Sequence, residues 1–330
     1  MGRRNCNILF SALATRWMLI YDIPHIDAFS QPSFRHFSLQ NFRTGELRKF
    51  HAGATMSNDQ DANKISPTST SLVHIICLHG KGNDGPAFQS LLDPLQVALK
   101  ERLELRPQDE NPITLNWIFL SAPFPMATAT DSTITNEPNQ RKREWWRLPP
   151  QTRSFTAKEY IGFEESETIV LDTLEEIRDW QKHQDEGVSH KRHLELMIGH
   201  SQGAILLASM LAKHDNFGNC PHRGFILNGC AWPNPYAEQL QNFGTAANIE
   251  RDEKRKDDKN CSSSQTLFVI GESDSINPPQ SAKLVRDSLK TGGMEPKTVY
   301  HKGSHAVPVK DQVALKEIVD WIEDWIKSHR

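Results

Sequence analysis

Three residues far apart in the chain, Ser201, Asp274 and His305, have the types and the order that acyl transfer requires. Ser201 sits in Gly199-His200-Ser201-Gln202-Gly203, after an apolar run and before a helix-like one. Small residues two before and two after a serine let a strand turn sharply into a helix and expose the hydroxyl. A serine hydroxyl is a poor nucleophile alone, so the chemistry also needs a base and a group that orients the base. Asp274 follows the apolar run "TLFVIG" and His305 follows "KTVYH". Both therefore fall at carboxyl ends of predicted strands, where open α/β sheets keep their sites. Glu272 and Asp311 are rival acids, and His301 is a rival base expected inside its strand. Singly, the three have bland readings: a glycine-rich corner, a turn aspartate and a surface histidine. Their joint order and placement favour the catalytic one.

Acyl transfer also needs hydrogen-bond donors aimed at the oxyanion that develops. One candidate is the backbone N–H of Gln202, the residue after the serine. The other is the N–H of Lys81, in the loop "CLHGKGNDG" after the first predicted strand. A phosphate cradle is excluded there because no GxxxxGK[ST] spelling is present. Phe124, Pro125, Trp145 and Trp146 lie in segments expected at the same sheet edge and are read either as lining an apolar acyl or alcohol pocket or, for the tryptophans, as packing their loop onto the core. No metal is expected, since His190 and His193 lack an HExxH context.

The elements that must position these groups alternate in type. Short β-branched or apolar runs at 72–78, 115–123, 193–199, 223–230, 266–272 and 297–303 read as strands. Amphipathic runs at 86–103, 164–182, 202–214, 279–290 and 312–329 read as helices. Strands alternating with helices predict a mostly parallel central sheet of about six strands with helices on both faces. One such domain is expected over 71–330. Residues 122–160 have no sustained periodicity and are long enough to be a functional loop. Residues 245–265 are charged and then serine-rich, the composition of a flexible surface loop.

The remaining features mostly exclude. Of 330 residues, 37% are hydrophobic and 24% charged, with a net charge of −3. That balance gives no electrostatic case for nucleic acid or an anionic membrane, and no eighteen-residue apolar run predicts a membrane span. Five scattered cysteines without CxxC spacing argue for a reducing, cytoplasmic setting rather than a disulfide framework. Residues 1–70 carry more arginine than acid and are expected to be a disordered extension, an organellar targeting segment, or sequence upstream of a start at Met56.

With these residues in view, the chain resembles the FSH1-type serine hydrolases, a branch of the α/β-hydrolases. The likeness rests on "CLHGKGNDG", "LSAPFP", "GFEESETIVLDTLEEI", "IGHSQGAILLASML", "GESDSINPPQSAKL" and "GSHAVP", and runs from 72 to about 325. It implies an α/β-hydrolase fold, a Ser201–Asp274–His305 triad, and hydrolysis of a small-molecule ester or thioester without a cofactor. Acyl-protein thioesterases, lipases and transacylases on the same triad are the near alternatives. A non-catalytic binding protein on the same fold is the far one. In that family an aromatic residue often precedes the nucleophile, and here the residue is His200.

Overall fold

A computed structural model describes residues 71–104, 113–126, 142–185, 193–214, 217–218, 220, 222–243 and 265–329. The expected N-terminal extension 1–70 and all but the last residue of the expected loop 245–265 lie outside the described residues. The described chain is an α/β-hydrolase sheet with two helical layers.

Its strands are β1 (Ser71–Leu78), β2 (Ile113–Leu120), β5 (His193–His200), β6 (Arg223–Asn228), β7 (Gln265–Gly271) and β8 (Glu295–His301). They form one parallel sheet in the order β2-β1-β5-β6-β7-β8. The two-residue strands β3 (Phe124–Pro125) and β4 (Arg143–Glu144) pair antiparallel beside it. Helices α1 (Gly85–Leu99), α2 (Phe163–Asp185), α3 (Gln202–Lys213), α4 (Ala237–Asn242), α5 (Pro279–Thr291) and α6 (Gln312–Ser328) connect and cover the strands. Among the described residues, no helix is long and apolar enough to cross a membrane.

The period-two alternation of a strand explains the layers. In β1, Val73, Ile75 and Cys77 pack toward α1 and α6, while Ile76 and Leu78 pack toward α2 and α3. In β7, Leu267 and Val269 take the first side, Phe268 and Ile270 the second. Both faces are buried, which is why these strands read as continuous apolar runs. Helix α1 starts where Asp84 accepts the Ala87 N–H at 2.9 Å, with Pro86 in the first turn. Asp311 caps α6 in the same way, accepting from the Val313 and Ala314 amides.

The six parallel strands match the expectation, while several element ends shift by two to four residues, two of them with a structural cause. The strand expected to 123 stops at Leu120, because the chain must leave the sheet to carry Ala122 and Pro123 to the Arg143 side chain. The helix expected over 86–103 changes at Lys100 into a π-helical turn, Lys100–Glu104.

Strand order also places the site. From β1 the chain moves outward to β2, then returns past β1 to β5 and continues the other way. The order therefore reverses between β1 and β5, and crevices form at the carboxyl ends of strands flanking such a switch. The loop after β1 carries Lys81, and the turn after β5 carries Ser201.

Candidate active site

Ser201 occupies the single-residue turn between β5 and α3, at φ 53° and ψ −117°. A non-glycine residue in that region costs about 1–3 kcal/mol and persists only where its surroundings over-determine it. Here the Ser201 N–H donates to Asn228 O at 2.9 Å, and the Ile205 N–H donates to Ser201 O at 3.0 Å. The flanking glycines are required by close approach. A Cβ on Gly199 would stand 2.7 Å from the Ala204 backbone, and one on Gly203 would stand 2.3 Å from Leu78 O. Gly203→Ala is expected to lower unfolding stability by about 1–3 kcal/mol, because the obstacle is strand backbone that cannot rotate aside. Urea denaturation of the variant beside the wild type measures it.

Asp274 and His305 come from the turns after β7 and β8. Asp274 is 5% exposed, and its Oδ1 accepts the Ile276 and Asn277 N–H groups at 2.9 Å each. Its Oδ2 lies 2.7 Å from His305 Nδ1, and His305 Nε2 lies 2.7 Å from Ser201 Oγ. An ionised carboxylate only accepts, so Nδ1 carries the imidazole proton and Nε2 is left to accept from the serine hydroxyl. The structure therefore brings all three sequence-predicted residues into one hydrogen-bonded line.

The rivals stand elsewhere. Glu272 is exposed, and its backbone N–H binds His301 O at 2.9 Å. Asp311 is occupied as the cap of α6. His301 ends β8, 5% exposed, with its pKa lowered chiefly by burial.

Two supports of this line were not read from the sequence. The Asn277 side chain donates to Gly229 O at 2.7 Å, joining the Asp274 turn to the end of β6. Gly229, at φ +57°, leaves the room in which His305 lies: a Cβ there would be 3.1 Å from the ring's Cε1. The only local signal was an asparagine three residues after the acid, a common turn composition. The contact with Gly229 spans 48 positions.

The loop after β1 approaches Ser201 closely, since a Cβ on Gly80 would lie 3.1 Å from the Ser201 Cβ. Its shape is held by His79, which is fully buried. His79 Nδ1 donates to Gly80 O at 2.8 Å and Nε2 accepts the Ala122 N–H at 3.0 Å, so the ring is neutral. Burial is the main cause of its pKa falling to about 4. Among the described residues, no protein acceptor engages the backbone N–H of Lys81 or of Gln202. The Lys81 ammonium pairs with Glu144 at 2.8 Å.

Trp145 and Trp146 are both 0% exposed and pack in the core on the α2–α3 side. Trp145 donates its indole N–H to His79 O at 2.8 Å, and Trp146 stacks on Tyr160 with centroids 4.4 Å apart. The Gln202 side chain ties this segment to the elbow, accepting from Trp145 N at 3.0 Å and donating to Trp146 O at 3.2 Å. These indoles thus shape the site from behind and offer no open surface to a ligand in this structure. Phe124 is half-buried: its ring rests against Gly162 and carries the Arg147 guanidinium 4.8 Å above it. Among the described residues, no group of three or more His, Cys, Asp or Glu is placed to hold a metal ion.

Buried neutral imidazoles make stability depend on pH. Burial lowers His74 to about 4, His79 to about 4 and His200 to about 3, from an ordinary 6.5. Between about pH 6.5 and 4 the unfolded chain takes up protons that the folded one refuses. Stability is therefore full above pH 6.5 and falls as pH drops through that window, by at most about 2 kcal/mol per histidine at pH 5. A urea midpoint at pH 5 clearly below that at pH 7.5 is the expected result, and equal midpoints would contradict it.

A family model described as "Serine hydrolase (FSH1)" matches residues 69–316. The chain is 28% identical over 155 residues to the esterase OVCA2 of Danio rerio, a match covering 43% of this chain and 57% of that protein. It thus spans somewhat over half the length of that relative. Among solved structures, SOBER1 of Arabidopsis thaliana is 19% identical, with a TM-score of 0.45, covering 78% of this chain and 100% of the other. Acyl-protein thioesterase 2 of Zea mays is 18% identical, with a TM-score of 0.43, covering 79% and 96%. The family match takes in the loop after β1, the serine turn, and the acid and histidine turns, and by it the chain belongs to the FSH1 serine hydrolase family.

Proposed function

We propose that the protein hydrolyses carboxylic esters or thioesters of small molecules through an acyl-enzyme on Ser201. The observation that carries this is the alignment of Asp274 Oδ2, the His305 ring and Ser201 Oγ through two 2.7 Å contacts, at a serine held in a strained turn. In the first half-reaction His305 Nε2 takes the hydroxyl proton while Ser201 Oγ bonds to the acyl carbon. The carbonyl oxygen becomes an oxyanion facing the Gln202 and Lys81 N–H groups. As the tetrahedral intermediate collapses, the carbon–leaving-group bond breaks and His305 returns the proton to the departing alkoxide or thiolate. Water then attacks the acyl-enzyme, giving its proton to His305, and the acid product leaves as Ser201 regains its proton. Asp274 keeps the imidazole in the required tautomer and stabilises its charged form.

The esterase relative supports the ester class over amides. Phe124, on the half-exposed β3 beside the donor loop, is the candidate for contacting the acyl or alcohol group. Among the described residues, Cys77 and Cys230 are buried free thiols, which supports a reducing, cytoplasmic setting. Purified full-length protein should be assayed against p-nitrophenyl esters, acyl-thioesters, anilides and ester–alcohol mixtures. Hydrolysis of the first two classes is the expected outcome. Turnover of anilides alone, or acyl transfer to alcohol without hydrolysis, would replace this reading with a peptidase or a transacylase.

A further inference from the structure

The acyl-transfer reading leaves His200 without a task, although it immediately precedes Ser201. Neighbouring side chains on a strand point to opposite faces. Gly199 faces α3, so His200 turns toward α1 and α6. That layer is built from apolar side chains, including Phe88, Leu92, Ile198 and Ile226. The His200 ring stacks 6.2 Å from Phe88, and its Nε2 lies 3.0 Å from the backbone oxygen of His305. A carbonyl only accepts, so the neutral ring carries its proton on Nε2. Burial, reinforced by the nearby His305 and His79 rings, brings the His200 pKa down to about 3, which keeps this neutral form in place.

The segment between β8 and α6 is tied on either side of His305. Before it, the Ser273 Oγ–H reaches Lys302 O at 3.4 Å and the Ser273 N–H reaches Gly303 O at 3.3 Å; after it, the Val309 N–H reaches Val307 O at 2.9 Å and the Asp311 N–H reaches Pro308 O at 3.1 Å. Among the described residues, no hydrogen bond other than that from His200 holds the His305 backbone. Yet the His305 side chain must keep two 2.7 Å contacts at once. A base anchored to the strand end that bears the nucleophile cannot drift from it.

We propose that His200 is a positioning residue, whose Nε2–H bond to the His305 carbonyl locks the base to the end of β5 so that serine and base move as one unit. The inference rests on the triad reading above. Phenylalanine at 200 would keep the ring and its stacking but lose the donor. Glutamine would place an amide nitrogen close to where Nε2 now lies.

The test compares full-length wild type with His200→Phe, His200→Gln and His305→Ala, using p-nitrophenyl butyrate turnover and the rate of fluorophosphonate labelling. His200→Phe should lower kcat and the labelling rate about tenfold, the rate equivalent of one hydrogen bond, with KM unchanged. His200→Gln should recover most of that loss. Should His200→Phe fail to fold, His200→Asn, whose amide is too short to reach the carbonyl, makes the same comparison with His200→Gln. A kcat within twofold of wild type in the donor-less variant overturns the inference alone, as does a His200→Gln equally slow as that variant. Wild-type turnover in His305→Ala overturns the triad reading and this inference with it.

Discussion

Ser201→Ala loses turnover by about four to six orders of magnitude and no longer labels with a fluorophosphonate, while the folded structure is kept. The size follows from the unit character of the three residues: without the nucleophile the base and its carboxylate have nothing to act on. The fold should survive because the strain at position 201 lies in the backbone, held by Asn228 O and by the first turn of α3, and not in the hydroxyl. Alanine meets the same φ of 53° at little additional cost. Thermal unfolding within a few degrees of wild type, alongside lost labelling, is the result sought. Retained labelling would mean that a different nucleophile does the work.

Asp274→Asn should reduce kcat about 10⁴-fold with the fold equally intact. The hydrogen bonds around this carboxylate explain why. Oδ1 accepts two backbone N–H groups, from Ile276 and Asn277, so an asparagine would keep its oxygen on that side. Its NH2 group would then face His305 Nδ1 and force the proton onto Nε2. The ring would present a donor to Ser201 where an acceptor is needed, and attack would stall. Glu272→Gln, at an exposed side chain two positions earlier, should leave kcat within about twofold, as surface substitutions away from a site usually do. If Glu272→Gln is instead the crippling change, Asp274 is not the acid.

Much of this was legible in the residues because the information is local. Period-two and continuous apolar runs marked six strands, and both faces of the sheet are indeed covered. The glycines flanking Ser201 signalled a turn whose geometry they are needed to permit. The choice among Asp274, Glu272 and Asp311 was less local. It depended on which way each side chain is aimed: the turn closed by the Asp274 N–H on Gly271 O sets Asp274 inward and Glu272 outward, and the start of α6 engages Asp311. The tryptophans show the limit most clearly. Trp145 and Trp146 stand in an irregular stretch with the composition of a binding loop, yet both are buried. Gln202, 57 positions from Trp145, and His79, 66 positions away, draw that segment inward.

What the sequence determined by itself is the strands, the serine turn and the place of each of the three groups just after its own strand, since each rests on spacing within a few residues. Only the tertiary structure decided how the groups are held: Asn277 on Gly229, Gln202 on the Trp145–Trp146 backbone, and His200 on the His305 carbonyl. These contacts join residues between 48 and 105 positions apart. Their partners meet only because the parallel strands bring their carboxyl ends to one edge, and no local pattern encodes that meeting.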